Sequence, residues 1–201
     1  MDNLDFGNLS TLQIVELIGV LLSIAYVVLA SLKSIWCWLF GIVGSGISIY
    51  IFIASKLYAE SVLFFYYVGA GFYGWYEWKQ EARNEKFIAL QYPAKKHFLY
   101  MLAGICCSFI LAKILIDYTN ALVPLADSFV TIFSFIATWL TIKKVIESWF
   151  YWLVIDGASI FLYTNRHLYF YAGLSILYTA ISIYGYFQWK KSLGKELILT
   201  K

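Results

Sequence analysis

Trp149, Trp152 and Asp156 stand at i, i+3 and i+7, so a helix through them presents two indoles and a carboxylate on one face. Such a face suits a flat ligand that stacks on indole while its polar groups meet oxygen. For a cationic ligand, stacking on Trp contributes about 0.5–2 kcal/mol. Glu147 and Ser148 lie just before this stretch and Asp127 some twenty residues earlier, adding two carboxylates and a hydroxyl. The plainer readings are that the indoles anchor at a membrane interface, that Asp156 makes a helix–helix hydrogen bond, and that Asp127, in the first turn after Pro124, complements a helix amino terminus.

The elements that carry these residues are membrane spans. Of the 201 residues 62% are hydrophobic and 13% charged, outside the range of soluble domains. Apolar runs between polar breaks predict seven helices: Thr11–Leu32, Ile35–Ser55, Ala59–Trp78, His97–Ile116, Val123–Ile142, Val145–Thr164 and Leu168–Trp189. Asp2 and Asp5 precede the first run where a signal peptide would be basic, so that run is expected to stay as a span. The loops expected on one side hold Lys33, Lys79, Arg83, Lys86, Lys95, Lys96, Lys143, Lys144, Lys190, Lys191, Lys195 and Lys201, whereas the other side holds only Lys56 and Arg166. By the positive-inside rule the amino terminus is outside and the carboxyl terminus cytoplasmic. The stretch from Lys79 to Lys96 reads as a solvated connector. In this setting an ionisable residue at mid-bilayer costs about 2.5–3.5 kcal/mol on insertion scales, which makes Asp156, near the middle of the sixth span, a functional candidate.

The chain also repeats itself. Lys33–Lys79 laid without a gap over Lys144–Lys190 gives 15 identities in 47 positions, among them Trp38/Trp149, Gly46/Gly157, Ser48/Ser159, Tyr67/Tyr178, Gly74/Gly185 and Trp78/Trp189. A duplicated set of spans is typical of transporters, whose path runs between similar halves. The division expected is a single transmembrane domain over 1–201, with three-helix repeats at 11–79 and 122–190 and a linking helix at 97–116. Because the linking helix restores direction, the repeats run parallel, a 3+1+3 all-α arrangement. The first repeat then offers Trp38, Gly41 and Ser45 on the face equivalent to the indole face, with Ser48 and Tyr67 as weaker contributors. Asp127 and Glu16 are equivalent acids about a turn inside the outer face.

Several functions are excluded. Cys37, Cys106 and Cys107 show no metal spacing, adjacent Cys106 and Cys107 are poor disulfide partners, and His97 and His167 fall on opposite sides of the membrane. No metal or other cofactor is therefore expected. A retinal protein needs a lysine in its last span, and Tyr169 to Gln188 contains none. The chain has no phosphate-binding loop for ATP hydrolysis, no clustered catalytic residues of a lipid-modifying enzyme, and no feature pointing to nucleic acid.

The motif Glu147-Ser148-Trp149-Phe150-Tyr151-Trp152 with Asp156 resembles span six of the Pnu family of bacterial vitamin transporters. Ser55-Lys56-Leu57-Tyr58-Ala59-Glu60, Tyr73-Gly74-Trp75-Tyr76-Glu77-Trp78 and Asp127-Ser128-Phe129 also resemble that family, so the likeness extends from about Thr11 to Lys191. It implies a SWEET-like fold and facilitated diffusion of a vitamin across the inner membrane, with trapping by a separate cytoplasmic kinase. Family members that carry nicotinamide riboside (PnuC type) have Trp-Asn-Trp-x-x-Trp. Here Trp149 and Trp152 match the last two tryptophans, while Glu147 and Ser148 replace the first Trp and the Asn. Nicotinamide riboside is the substrate expected; thiamine, carried by PnuT-type relatives, is the alternative, since Glu147 would suit its thiazolium. The competing class is a membrane sensor or a substrate-binding subunit. Whether copies associate as a homo-oligomer is left open by the chain alone.

Overall fold

The computed structural model describes residues 11–54, 58–82, 87–119, 123–165 and 169–193. Lys56, Arg166 and His167, and the side chains of Glu16 and Glu60, lie outside that description. Seven helices follow in order: α1 Thr11–Ser31, α2 Trp36–Ala54, α3 Tyr58–Ala82, α4 Ala94–Tyr118, α5 Pro124–Ile142, α6 Ser148–Asn165 and α7 Tyr169–Lys190. Each corresponds to one apolar run.

The largest differences are at ends. Helix α3 continues four residues past Trp78. Helix α6 starts at Ser148 rather than Val145 because the chain turns there: Lys144 takes φ 55° and Val145 N–H donates to Leu140 O at 2.9 Å. Pro124 at the first position of α5 and Asp127 in its first turn suit a helix start.

Helices α1, α2 and α3 as far as Tyr76 form one compact unit; residues 31–33 and those from Glu77 onward form a second. The local packing of the turn before α2 and of the first unit recurs 111 residues later. Lys33, φ 62°, is the counterpart of Lys144, and Ser34 N–H donates to Leu29 O at 2.9 Å as Val145 does to Leu140. A Cβ added at Gly74 would come within 2.5 Å of the Trp38 ring, and one at Gly185 within 2.6 Å of the Trp149 ring. In both places only glycine lets a helix backbone approach an indole so closely.

The units differ in which helix carries a large ring. In the first, the Tyr26 ring fills the space beside Gly41, 3.0 Å from where a Cβ would be. The equivalents 111 residues on are Ala137 of α5 and Trp152 of α6, so the large ring stands on α1 in one unit and on α6 in the other.

In the second unit Phe133, Ala137, Leu140, Val145, Tyr151 and Ile155 form the core. Helix α4 buries only the small-residue stripe Gly104, Ser108 and Ala112, with Gly104 directly under the Phe133 ring. Many of its other side chains are apolar and outward, including Phe98 at 66% exposure and Phe109 at 61%. Cys106 and Cys107 are on this exterior and Cys37 is buried; all three are free thiols. A long helix that buries small residues and exposes large apolar ones is built for a lipid surround.

The connector before α4 departs from expectation. Residues 87–92 form a packed strap rather than a solvated loop. Ala89 N–H donates to Ser192 O, Leu90 N–H to Lys144 O, and Ile146 N–H to Leu90 O, each at 2.9 Å. Phe87 packs its ring on Trp78 and on Trp189, with centroids at 5.2 and 5.0 Å. Ala89 is 1% exposed. The hydrogen bonds join main chains and are invisible to any count of side-chain polarity, which is why the strap reads as solvated.

Candidate functional site

Helix α6 divides its predicted face between two neighbours. Trp149 and Asp156 both turn toward α7: Trp149 lies on Gly185 and meets the Trp189 ring edge-on at 5.3 Å, and Asp156 Oδ2 accepts from Ser182 Oγ at 3.5 Å. Trp152 turns instead toward α5, where its Nε1 donates to Thr141 Oγ1 at 3.1 Å. The split follows from helical geometry, because seven residues return nearly to the same angle whereas three fall about 60° short.

Helices α6 and α7 bury several polar side chains, unusual for helices in lipid. Ser148, Asp156 and Ser159 on α6 and Ser175 and Ser182 on α7 are all buried. Among the described residues, Ser148 Oγ and Trp149 Nε1 are sealed from solvent with no hydrogen-bond partner, as is Ser128 Oγ on α5. Buried polar atoms are nearly always paired, so adjacent orphans at the start of α6 are notable. Trp149 is 3% exposed, its indole held against Gly185 and Trp189. Trp152 is half-buried and keeps more of its ring accessible.

Glu147 takes a different direction. Its Oε2 accepts the Tyr92 N–H at 3.4 Å and lies 3.6 Å from His97 Nε2, while His97 Nδ1 is 3.2 Å from Tyr151 Oη. It thus ties the start of α6 to the strap and to α4. Burial, reinforced by nearby Tyr100 and opposed by Lys143, pushes the Tyr92 phenol above its usual range. Lys96 Nζ sits 4.2 Å over the Tyr92 ring. Asp127, half-buried in the first turn of α5, donates its N–H to Val123 O at 3.1 Å.

In the first unit, Trp38 is buried against Gly74 and meets the Tyr26 ring edge-on at 5.9 Å. Ser45 is buried, Ser48 Oγ bonds back to Gly44 O at 3.0 Å, and Tyr67 packs against Phe64 and Tyr66. Trp38 and Ser45 therefore repeat the positions of Trp149 and Asp156.

A second cluster closes one end of the second unit. Trp78 Nε1 donates to Ile142 O at 3.0 Å, and the Trp78 and Trp189 rings meet at 5.9 Å. Buried Lys144 holds its Nζ 5.6 Å over Trp78 and 5.2 Å over Phe87. Lys143 pairs with Glu77. Lys33 Nζ donates to Ser192 Oγ at 2.7 Å, and burial together with the charge of Lys191 lowers its pKa.

Sequence reasoning missed His97, Tyr151, Thr141 and Ser182. Ser182 had a signal: it lies three residues before Gly185, which matches Gly74, and replaces a glycine of the first repeat, Gly71.

Seven helices, an apolar exterior and a buried polar stripe define a multi-pass membrane protein. The chain belongs to the nicotinamide mononucleotide transporter family, whose sequence profile matches residues 13–191, and it is a transporter rather than an enzyme. It is similar to the nicotinamide riboside transporter PnuC of Escherichia coli (strain K12), with 26% identity covering 89% of this chain and 85% of that one. The PnuC of Neisseria mucosa is 25% identical over 79% of this chain and 65% of its own. A crystal structure of the vitamin B3 transporter PnuC shares the fold, with a TM-score of 0.73 at 22% identity over 89% of this chain and 81% of that one.

Proposed function

We propose that this protein carries nicotinamide riboside across the bacterial inner membrane by facilitated diffusion, with a separate cytoplasmic kinase trapping the product. The observation that carries the reading is the family match over residues 13–191 together with riboside-carrying relatives aligned over most of their length. The buried polar face of α6, together with Trp152 on its side toward α5, is the proposed contact surface. Trp152 stacks on the pyridinium ring, Asp156 meets its charge, and Ser148 Oγ with Trp149 Nε1 bond ribose oxygens. Trp149 acts chiefly as the wall that fixes this face. Asp127 is a further contact, and Trp38, Ser45, Ser48 and Tyr67 contribute from the first repeat.

The architecture proposed is 3+1+3, SWEET-like, with parallel repeats that rock to expose the site alternately, the amino terminus outside and the carboxyl terminus cytoplasmic. The recurrence of Trp38 on Gly74 as Trp149 on Gly185 supports the duplication. Thiamine is the lesser reading. Glu147, the carboxylate that would suit its thiazolium, is engaged by His97 and Tyr92. Proteoliposomes containing only this protein test the proposal: labelled riboside should enter without ATP, equilibrate without concentrating, and be displaced by unlabelled riboside better than by thiamine, riboflavin or deoxynucleosides. Binding without flux would instead favour a sensor or a binding subunit.

A further inference from the structure

Asp156 is the only charged residue of α6, stands near its middle and is 7% exposed. Among the described residues its one hydrogen bond comes from Ser182 Oγ, at the long limit of 3.5 Å, and no cation is paired with it. A carboxylate has about four acceptor sites, and one weak donor leaves most of them empty. An ionised group so placed loses its hydration without recovering it.

Among the described residues, neighbouring elements offer no other relief. Helix α7 presents Ser182, with half-buried Tyr178 one turn away, and its only charged residue is Lys190 in the last turn. Helix α5 packs on α6 through Phe133, Ile155 and Trp152, and its only charged residue is Asp127 in the first turn. The first repeat has no such pair: Ser45 replaces Asp156, and Gly71 replaces Ser182, with the Ile42 side chain filling the space. The arrangement is thus confined to the second half.

We infer that Asp156 holds either a proton or the positive charge of the substrate, so that loading a cationic nucleoside expels one proton from the protein. The balance is simple: the carboxylic acid gives its proton to water, and the resulting carboxylate pairs with the incoming cation. Ser182 is the positioning residue, since its hydroxyl donates to Oδ2 and leaves Oδ1 for the ligand. The inference rests on the cationic-vitamin reading and adds to it a linkage between binding and pH.

Calorimetry on the purified full chain, with nicotinamide riboside in buffers of different ionisation enthalpy, counts the protons released. At the acid end of a range from about pH 5 to 8 the release should approach one per riboside, then fall toward zero. Affinity should rise about tenfold per pH unit where the proton is released and be flat above that. Asp156→Asn should show no release and a flat profile. Ser182→Ala, a milder change in case the first variant does not fold, should move the release to higher pH, because the ionised form loses its donor. The uncharged dihydro form of the riboside should release no proton from the wild type. Riboside binding without proton release, release that persists in Asp156→Asn, or equal release with the neutral ligand would each overturn the linkage and leave the transport reading standing. Failure of the wild type to bind any cationic vitamin would overturn both.

Discussion

Trp149 lies on Gly185 so closely that a Cβ at that glycine would fall 2.6 Å from the indole. The same relationship holds between Trp38 and Gly74, 111 residues earlier in the chain. Each tryptophan is fixed by the next helix in the chain, which makes it a wall before it is anything else.

Gly185→Ala should therefore cost about 1–3 kcal/mol through overpacking, read as a lower melting temperature in detergent. Trp149→Phe should restore most of that loss by removing the ring that the new methyl meets. If Gly185→Ala is neutral in the wild-type background, the indole has room to move and is not a wall.

Trp152 separates binding from folding. Trp152→Leu should weaken a cationic riboside by about 2- to 30-fold, the equivalent of 0.5–2 kcal/mol of stacking, and weaken its neutral dihydro form much less. Transplanting the first repeat's solution, Ala137→Tyr with Trp152→Gly, should recover stability relative to Trp152→Gly alone while leaving binding lost. Recovery of binding in that double variant would move the stacking ring elsewhere.

Glu147→Gln should lower stability by about 0.5–1.5 kcal/mol, the worth of its bonds to the Tyr92 N–H and His97, and change riboside affinity less than about threefold. An equilibrium binding assay decides this. A collapse of affinity in a well-folded variant would return Glu147 to the substrate path.

Ala89→Asp would place a carboxylate at a position 1% exposed between the α5–α6 turn and the end of α7. A cost of about 1–3 kcal/mol follows from burying it unpaired, and the strap should be released first. Limited proteolysis should then cut the variant near residue 89 and spare the wild type.

Much of this architecture could be read from residue order alone. Apolar run length set the seven helices, because a helix in lipid must satisfy every backbone group within itself. The offset of 111 residues marked equivalent positions, and Trp149 and Asp156 share a face because seven residues make nearly two turns.

Tertiary structure decided the partners, and the reason is distance along the chain. Asp156 meets Ser182 across 26 residues and Glu147 meets His97 across 50, and no periodicity within one helix reports on either. Helix faces tell which residues point the same way, but not which neighbour they point at: Trp152 turned to Thr141 on α5 while Trp149 turned to Gly185 on α7. The strap lay further from reach, since its order comes from main-chain bonds that any side chain could accompany. Local sequence determines which elements form and which face each one hides; packing among distant elements determines what that face touches.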